Sequence, residues 1–239
     1  MKFFGKKQKG LDTNSMGNGV YLVTVDKPTS VNTEQFNTIR TNITFSSVDK
    51  AYKSLMVTST VASEGKSTIA TNIAATYAKQ GLKTLLIDAD LRRPTVRSTF
   101  NISDSKGLTN LLTEPGFDVN DIIYETTVKN LYVMPSGPIP PNPSELIGSK
   151  RMKSLGKPLN EAFDLVIYDA PPVTTVTDAQ LLSTQVNGTI LVVRQDKTEK
   201  SVCREAVKLI EHVGGHIIGV ILNDVPSSAS GYYGYYSKD

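Results

Sequence analysis

The chain has 239 residues, of which 39% are hydrophobic and 21% are charged, and its formal net charge is +3. These values suit one large or two small globular domains, and so small a charge gives no reason to expect a nucleic-acid partner. No apolar run reaches the roughly 18 residues of a membrane span and no signal peptide opens the chain, so we expect a cytoplasmic protein.

The first 32 residues show no periodic pattern of apolar side chains. Residues 1–10 contain four lysines, two phenylalanines and no acidic residue, and the residues up to 32 are rich in Gly, Asn, Ser and Thr. This composition predicts a flexible basic arm over residues 1–32. Such an arm more often stays in solvent, and contact of its lysines with an anionic membrane surface is the alternative.

A helix is predicted from Thr33 to Ser46, with Asn32 or Thr33 as its N-cap. Its apolar side chains recur at helical spacing, at Phe36, Ile39 and Ile43. A polar stripe lies beside them, at Glu34, Asn37 and Arg40. The stripe is either a solvated face or a contact between subunits.

The stretch Ser54–Thr68 organises the rest of the chain. It reads SLMVTSTVASEGKST, which is a short apolar strand, a turn and a GKST segment that opens a helix. This order is the P-loop arrangement, although Thr60 stands where the first glycine of the usual pattern is expected. We therefore predict a nucleotide site. Its binding residues are Ser63, Glu64, Gly65, Lys66, Ser67 and Thr68.

The chemistry of this site follows from the start of the helix. The first N–H groups of a helix have no intrahelical partner and lie at the positive end of its dipole, so a phosphate can bind there. Lys66 would reach the β- and γ-phosphates of ATP, and the Ser67 hydroxyl is placed to bind Mg²⁺. The sequence thus predicts ATP and Mg²⁺ as cofactors.

Five further apolar stretches have the length and composition of buried strands. They are Lys83–Asp88, Asn130–Met134, Asp164–Tyr168, Gly188–Val193 and His216–Leu222. Short helices are predicted at Gly107–Leu112, at Asp118–Tyr124, after Pro143, and from Lys200 to His212. The last of these contains Cys203, the single cysteine, which excludes an internal disulfide.

Strands this apolar, separated by helical stretches, require a parallel sheet that is covered on both faces. The predicted fold is therefore α/β, a doubly wound and mostly parallel sheet. One domain is expected over residues 33–223, followed by a flexible tail over residues 224–239.

Three aspartates follow predicted strands at the edge where ligands bind in such sheets. Asp88 and Asp90 end one strand and its turn, and Asp169 ends another. Bare carboxylates would repel a triphosphate, so a magnesium ion held by Ser67, Asp90 and Asp169 is expected between them. Asp88 is then left to orient or deprotonate an attacking hydroxyl, although the division between Asp88 and Asp90 stays open. With Lys66, these aspartates form the predicted catalytic set.

The motifs resemble those of a known family. Asp88-Ala89-Asp90-Leu91-Arg92 after an apolar strand resembles the Walker A′ motif of the bacterial tyrosine kinases, and Asp169-Ala170-Pro171-Pro172 resembles their Walker B motif. The helix beginning near Thr33 is similar to their E-x-x-R-x-x-R oligomerisation helix, with Asn37 in place of the middle arginine. These kinases are P-loop proteins related to the MinD/ParA ATPases.

The resemblance implies an ATP-dependent protein tyrosine kinase of capsular or exopolysaccharide assembly. It further implies a transmembrane activator of the polysaccharide co-polymerase type, a homo-oligomer and a cognate tyrosine phosphatase. The protein would lie at the inner face of the plasma membrane through that activator.

The chain ends in YYGYYSKD, so four of its ten tyrosines lie within five residues. They are Tyr232, Tyr233, Tyr235 and Tyr236. Glycine and serine around them argue against a packed core. We predict that this cluster accepts phosphate, as the resemblance also implies, and the alternative is low-complexity sequence without a role.

Two other functions compete with the kinase. A MinD/ParA-like ATPase switch usually carries a signature lysine early in the P-loop, where this chain has Val61. A nonenzymatic nucleotide-binding regulator would have no need of Lys66 and the three aspartates. Both alternatives are therefore disfavoured.

Overall fold

The structure, a computed structural model, describes residues 14–47 and 51–226. Within these ranges seven strands form one sheet, in chain order β1 (Ser54–Ser59), β2 (Thr84–Asp88), β3 (Tyr124–Glu125), β4 (Leu131–Met134), β5 (Leu165–Asp169), β6 (Gly188–Arg194) and β7 (Ile217–Asn223). The helices are α1 (Ser15–Asn18), α2 (Val23–Asp26), α3 (Val31–Ser46), α4 (Lys66–Lys79), α5 (Val96–Thr99), α6 (Leu108–Thr113), α7 (Pro143–Gly148), α8 (Lys150–Ala162), α9 (Asp178–Ser183) and α10 (Lys200–His212). A 3₁₀ turn spans Val119–Ile122.

The strand order is β3-β4-β2-β5-β1-β6-β7, and every neighbouring pair is parallel except β3 with β4. Side chains alternate across the pleat, so Leu55 and Val57 pack under α3 and α4 while Met56 packs on the opposite side. Each face of the sheet thus has its own apolar core. The predicted doubly wound, mostly parallel α/β fold is confirmed.

The predicted strands agree with the observed ones to within one residue at each end, and α10 spans the predicted residues. The helix α8 was missed. It contains Gly156 and Pro158, which ordinarily mark a break, but Met152 and Leu159 on its inner side are buried against the sheet. Burial of that face outweighs the poor local helix propensity.

The N-terminal boundary needs correction. The helix α3 begins at Val31 rather than Thr33, and its N-cap is Ser30, whose hydroxyl accepts a hydrogen bond from Thr33 N at 3.3 Å. Residues 14–30, assigned above to a flexible arm, pack against the domain, and Thr24 in α2 is fully buried. The lysines of residues 1–10 lie outside the described residues.

Asn72 in α4 holds this N-terminal segment in place. Its side chain is fully buried, accepts hydrogen bonds from the Thr24 N–H and hydroxyl, and donates to the carbonyl oxygens of Tyr21 and Thr68. All four partners are satisfied by one amide, as buried polar groups require. The segment is therefore part of the domain.

Replacing Asn72 by alanine should reveal this anchoring. The change leaves the Thr24 N–H and the Tyr21 carbonyl without partners in a buried place, so we expect the free energy of unfolding to fall by about 2–3 kcal/mol. Urea unfolding followed by circular dichroism measures it. Thr38→Ala on the exposed side of α3 is the control and should change stability by less than about 0.5 kcal/mol. Equal stability of the Asn72 variant and wild type would contradict the anchoring.

Candidate nucleotide-binding and catalytic site

The P-loop and the three predicted aspartates meet at the carboxyl edge of the central strands. The strands β2, β5 and β1 are neighbours in the sheet, and Asp88 at the end of β2 lies directly opposite Asp169 at the end of β5. The P-loop leaves the end of β1 beside them. Parallel pairing thus brings three separate segments together.

The loop between β1 and α4 has an unusual backbone. Gly65 has φ 92° and Ser63 has φ 66°, both in the left-handed region. A β-carbon on Gly65 would come within 2.3 Å of Asn223 Nδ2, so glycine is required there. The turn directs the start of α4, at Lys66, toward the acid cluster.

Lys66 sits among the acids. Its Nζ lies 2.8 Å from Asp90 Oδ2 and 3.2 Å from Asp169 Oδ1, and donates to Ser67 Oγ at 3.2 Å. Burial lowers the pKa of the ammonium group, but the charges of Asp169 and Asp90 raise it further, so the net shift is upward. Lys66 therefore stays charged.

Asp88 is fully buried at the end of β2. Its Oδ2 accepts hydrogen bonds from Thr95 N at 2.8 Å and Val96 N at 2.9 Å, while Oδ1 has no partner. Burial and the nearby charge of Asp169 raise the pKa of Asp88 to about 8. Without ligands Asp88 is mainly protonated at neutral pH.

The other two aspartates differ in their surroundings. Burial opposes ionisation of Asp90, but the Lys66 ammonium and the N–H groups of Arg93 and Arg92 outweigh it and lower the Asp90 pKa. In Asp169, burial raises the pKa against the opposing effect of Lys66, and Oδ2 has no partner. The cluster thus combines Asp90, whose pKa is lowered, with Asp88 and Asp169, whose pKa values are raised.

The residues present fit a magnesium nucleotide. Two buried carboxylate oxygens, Asp88 Oδ1 and Asp169 Oδ2, lack partners next to the Ser67 hydroxyl and the first turn of α4. In the part of the chain that the structure describes, no group of three or more His, Cys, Asp or Glu could hold a metal ion by itself. The unpartnered carboxylate oxygens and the Ser67 hydroxyl suit Mg²⁺, which binds through few protein oxygens and completes its shell with phosphate and water.

Glu64 is predicted to bind the nucleotide, but its side chain forms hydrogen bonds within the protein. The residue is 2% exposed, and its carboxylate accepts hydrogen bonds from Thr60 N, Thr60 Oγ1, Val61 N and Thr198 Oγ1. Any contact with a phosphate would have to come from its backbone. Ser63 supplies one of the two left-handed residues of the loop.

Sequence reasoning missed two residues that support the loop. Thr198 bonds the Glu64 carboxylate, and Asn223 Nδ2 donates to Glu64 O at 2.9 Å. They lie 134 and 159 residues away along the chain. The sequence offered one signal for Asn223, namely its position at the end of β7. The parallel strands β7 and β1 both end at the carboxyl edge of the sheet, where the P-loop begins.

Arg92 of the Walker A′ segment is also fixed. Its Nε and Nη2 donate to the two oxygens of Asp178 at 3.0 and 3.1 Å, and Asp178 is fully buried at the start of α9. Ser144 Oγ donates to Asp178 Oδ1 at 2.5 Å. The turn after β2 is thereby tied to α7 and α9, which stabilises the position of Asp90.

The fold and the site define a P-loop nucleotide-binding protein of the α/β class, and MinD ATPases share this fold at lower identity. The family model of the AAA domain matches residues 52–213. The chain is 44% identical over 219 residues to tyrosine-protein kinase YwqD of Bacillus subtilis, covering 91% of this chain and 92% of YwqD. It belongs to the family of bacterial tyrosine kinases, as its motifs predicted.

Solved structures of bacterial tyrosine kinase domains have the same fold as this chain. The chimerical protein CapA2B2 superposes with a TM-score of 0.81 at 41% identity, covering 87% of this chain and 94% of that one. The kinase domain of Escherichia coli tyrosine kinase ETK gives a TM-score of 0.84 at 32% identity, covering 92% and 86%. Among the described residues of the present chain, no helix is long and apolar enough to cross a membrane.

The raised pKa of Asp88 predicts a pH-dependent instability of the ligand-free protein. Between its ordinary pKa of 3.8 and about 8, the carboxyl ionises in the unfolded chain but not in the folded one. Stability from this group is therefore complete below pH 4 and is lost as the pH rises toward 8. Asp88→Asn keeps an acceptor for Thr95 and Val96 without this titration, so its melting temperature should exceed that of wild type increasingly from pH 4 to 8.

Thermal unfolding with a chelator and no nucleotide tests this expectation. Asp88→Ala is the matched control, because it removes the charge together with the acceptor and should be less stable than Asp88→Asn at every pH. A constant difference between Asp88→Asn and wild type over this pH range would contradict the shifted pKa.

Proposed function

We propose that the protein is an ATP-dependent tyrosine kinase that phosphorylates its own C-terminal tyrosine cluster and regulates capsular or exopolysaccharide synthesis. The observation that carries the proposal is the meeting of Lys66, Ser67 and three aspartates from separate strands at one edge of the sheet. Kinship to YwqD and to the ETK kinase domain supports tyrosine as the acceptor.

Lys66 is the residue that must change partners when a nucleotide binds. In the ligand-free protein its ammonium pairs with Asp90 and Asp169. To contact the β- and γ-phosphates it exchanges these carboxylates for phosphate oxygens, and the N–H groups at the start of α4 bind the same phosphates. Its charge then stabilises the transferred group in the transition state.

Asp88 is the proposed base. Its Oδ1 has no hydrogen-bond partner, and a pKa near 8 makes it a stronger base than an ordinary carboxylate. A base is most effective when its pKa lies near the working pH. The ionised form of Asp88, whose fraction grows as the pH rises toward 8, is the form that would remove the proton from a tyrosine hydroxyl. The hydrogen bonds from Thr95 and Val96 hold the carboxyl in one orientation.

Ser67, Asp90 and Asp169 are the proposed ligands of a magnesium ion. When bound, this ion neutralises charge on the phosphates and orients them for in-line transfer. Against the effect of burial, the Lys66 ammonium and then the backbone N–H groups of Arg93 and Arg92 lower the pKa of Asp90, which favours the ionised form that would bind the cation.

The proposed acceptors are Tyr232, Tyr233, Tyr235 and Tyr236, which lie outside the described residues. The strand β7 ends at Asn223 beside the P-loop, and Asp224 pairs with Arg194 at 2.8 Å. Asn223 and Asp224, which precede the tail tyrosines in the chain, therefore lie at the ligand-binding edge. From Pro226 to Tyr235 an extended chain spans at most about 30 Å, so transfer within one chain or between subunits is sterically feasible.

A homo-oligomer, a transmembrane activator and a cognate phosphatase complete the proposal, with the kinase held at the inner face of the plasma membrane. The polar stripe of α3 supports the oligomer. Asn37 donates to Glu34 Oε1 at 3.2 Å and accepts from Arg40 Nη1 at 3.5 Å on the outer side of the helix. Asn37 thus joins the two charged residues where the family pattern has an arginine.

Lys66→Ala is expected to abolish phosphotyrosine formation in purified protein given ATP and Mg²⁺. The variant loses the only side chain of the P-loop that carries positive charge, and we expect at least about a 100-fold loss of rate. Immunoblotting for phosphotyrosine and mass spectrometry measure it. Lys197→Ala, on the turn after β6, is the control. A Lys66 variant that transfers phosphate normally would refute the assigned role.

Asp169→Ala tests the acid cluster separately. We expect loss of phosphate transfer with a folded domain, because the residue is placed to hold the metal rather than the core. The circular dichroism spectrum and the thermal unfolding transition verify that the variant is folded. Transfer at the wild-type rate would rule out the role of Asp169.

The acceptor prediction is tested by changing all four tail tyrosines to phenylalanine. Phosphotyrosine should vanish while the affinity for ATP, measured by calorimetry, stays unchanged. Tyr21→Phe, at a half-exposed tyrosine of the domain, is the control and should keep full phosphorylation. ATP hydrolysis without phosphotyrosine in the wild-type protein would instead favour the ATPase switch.

A further inference from the structure

The P-loop of this chain is closed on itself by the Glu64 carboxylate. Oε2 accepts from Thr60 N at 2.7 Å and from Val61 N at 3.0 Å, so residue 64 reaches back to the first two residues of the loop. The Thr60 hydroxyl donates to the same carboxylate at 2.7 Å. Two backbone N–H groups and one hydroxyl thus converge on a single side chain within the loop.

The closure occurs where the usual P-loop has its first glycine. Thr60 fills that position and is fully buried, and its N–H and hydroxyl both face Glu64. The N–H groups of Thr60 and Val61 are therefore already bonded to the Glu64 carboxylate. The phosphate must be bound by the N–H groups that follow, from Gly65 to Thr68 at the start of α4.

The closed loop is also attached to its surroundings from outside. Thr198, in the turn after β6, donates to Glu64 Oε1, and Asn223 Nδ2 donates to Glu64 O at 2.9 Å. On the other side Thr174 Oγ1 donates to Thr60 O at 2.7 Å. The first residue of the loop is thus bonded to the segment after β5, and Glu64 near its end is bonded to the turn after β6 and to the end of β7.

We propose that Glu64 is a positioning residue for nucleotide binding. By binding Thr60 and Val61, its carboxylate holds the loop in the one conformation that presents the N–H groups of Gly65 to Thr68 to phosphate and sets the start of the Lys66 side chain. Preorganised donors of this kind contribute to binding because no ordering is needed when the ligand arrives. The inference rests on the proposed nucleotide site but not on the identity of the acceptor.

The geometry separates the hydrogen-bond role of Glu64 from its charge. The N–H groups of Thr60 and Val61 are fixed by the backbone, so any side chain that replaces Glu64 must place a hydrogen-bond acceptor where Oε2 lies. The Thr198 hydroxyl donates to Oε1, and the Thr60 hydroxyl lies 2.7 Å from both carboxylate oxygens. Both hydroxyls can rotate and accept instead. A glutamine can therefore place its carbonyl oxygen on the N–H groups and its amide toward the hydroxyls. Alanine satisfies neither.

Calorimetric titration with Mg-ADP of wild type, Glu64→Ala and Glu64→Gln tests the proposal. We expect Glu64→Ala to raise the Kd of Mg-ADP by about 10–100-fold, since a small displacement of binding groups has effects of this size. Glu64→Gln should remain within about threefold of wild type. The exposed carboxylate of Glu205 on α10 provides the matched control, Glu205→Ala, which should bind as wild type.

Steady-state kinetics add a readout that a purely structural role would not affect. At a temperature where all variants are folded, Glu64→Ala should raise KM for ATP more than it lowers kcat, because the lost order is restored once the nucleotide is bound. Wild-type affinity in Glu64→Ala, or equal losses in the glutamine and alanine variants, would overturn the proposal.

A shorter carboxylate at position 64 provides a second test of the hydrogen bonds to the loop. If Glu64→Ala does not fold, Glu64→Asp takes its place, since it keeps the charge but is one methylene too short to reach both N–H groups, and its Kd should rise at least about fivefold. An unchanged Kd for that variant would overturn the proposal. Because Mg-ADP binding is measured without an acceptor, a wild-type protein that binds nucleotide but phosphorylates no tyrosine would refute the kinase and leave this result valid.

Discussion

The site depends on one ammonium group placed among three buried carboxylates. Parallel pairing of β2 with β5 forces Asp88 and Asp169 side by side, and Asp90 follows two residues after Asp88. Such a cluster is costly in a dry interior unless it is neutralised. Two features lower the negative charge of the cluster. Lys66 supplies one positive charge, and Asp88 keeps its proton because burial and the charge of Asp169 raise its pKa. The protein therefore accepts an electrostatic cost at this edge, which a bound cation can relieve.

The order of the strands decides what surrounds this cluster. Because β1 lies between β5 and β6, the P-loop has the acids on one side and the turn after β6 on the other. Asn223 at the end of β7 reaches the same loop, so the chain that continues into the tyrosine-rich tail starts next to the nucleotide site. One topological feature thus places the phosphate loop, the acids and the root of the tail on a single edge.

Sequence reasoning succeeded where the signal was local or followed from a rule of parallel sheets. The GKST segment and the strand-ending aspartates are recognisable at short range, and the sheet requires their carboxyl ends to meet. It failed where the stabilising contacts are distant. Thr24 is ordered by Asn72, 48 residues away, and Glu64 is bound by Thr198, 134 residues away. In α8, burial of Met152 and Leu159 overrides the local effect of Pro158.

The charges at the site also explain why a phosphate group and a cation would favour each other's binding there. Lys66 lowers the pKa of Asp88 and Asp169 and pairs with Asp90, so its departure toward phosphate alone would leave three acids beside several new negative charges. Ser67, Asp90 and Asp169 would hold a metal cation whose charge compensates these carboxylates in place of the ammonium group. Asp88 Oδ1 and Asp169 Oδ2 have no hydrogen-bond partner in the ligand-free protein, so these two oxygens are available for new contacts. The ion pairs of Lys66 with Asp90 and Asp169 are thus the contacts that a phosphate group would have to displace.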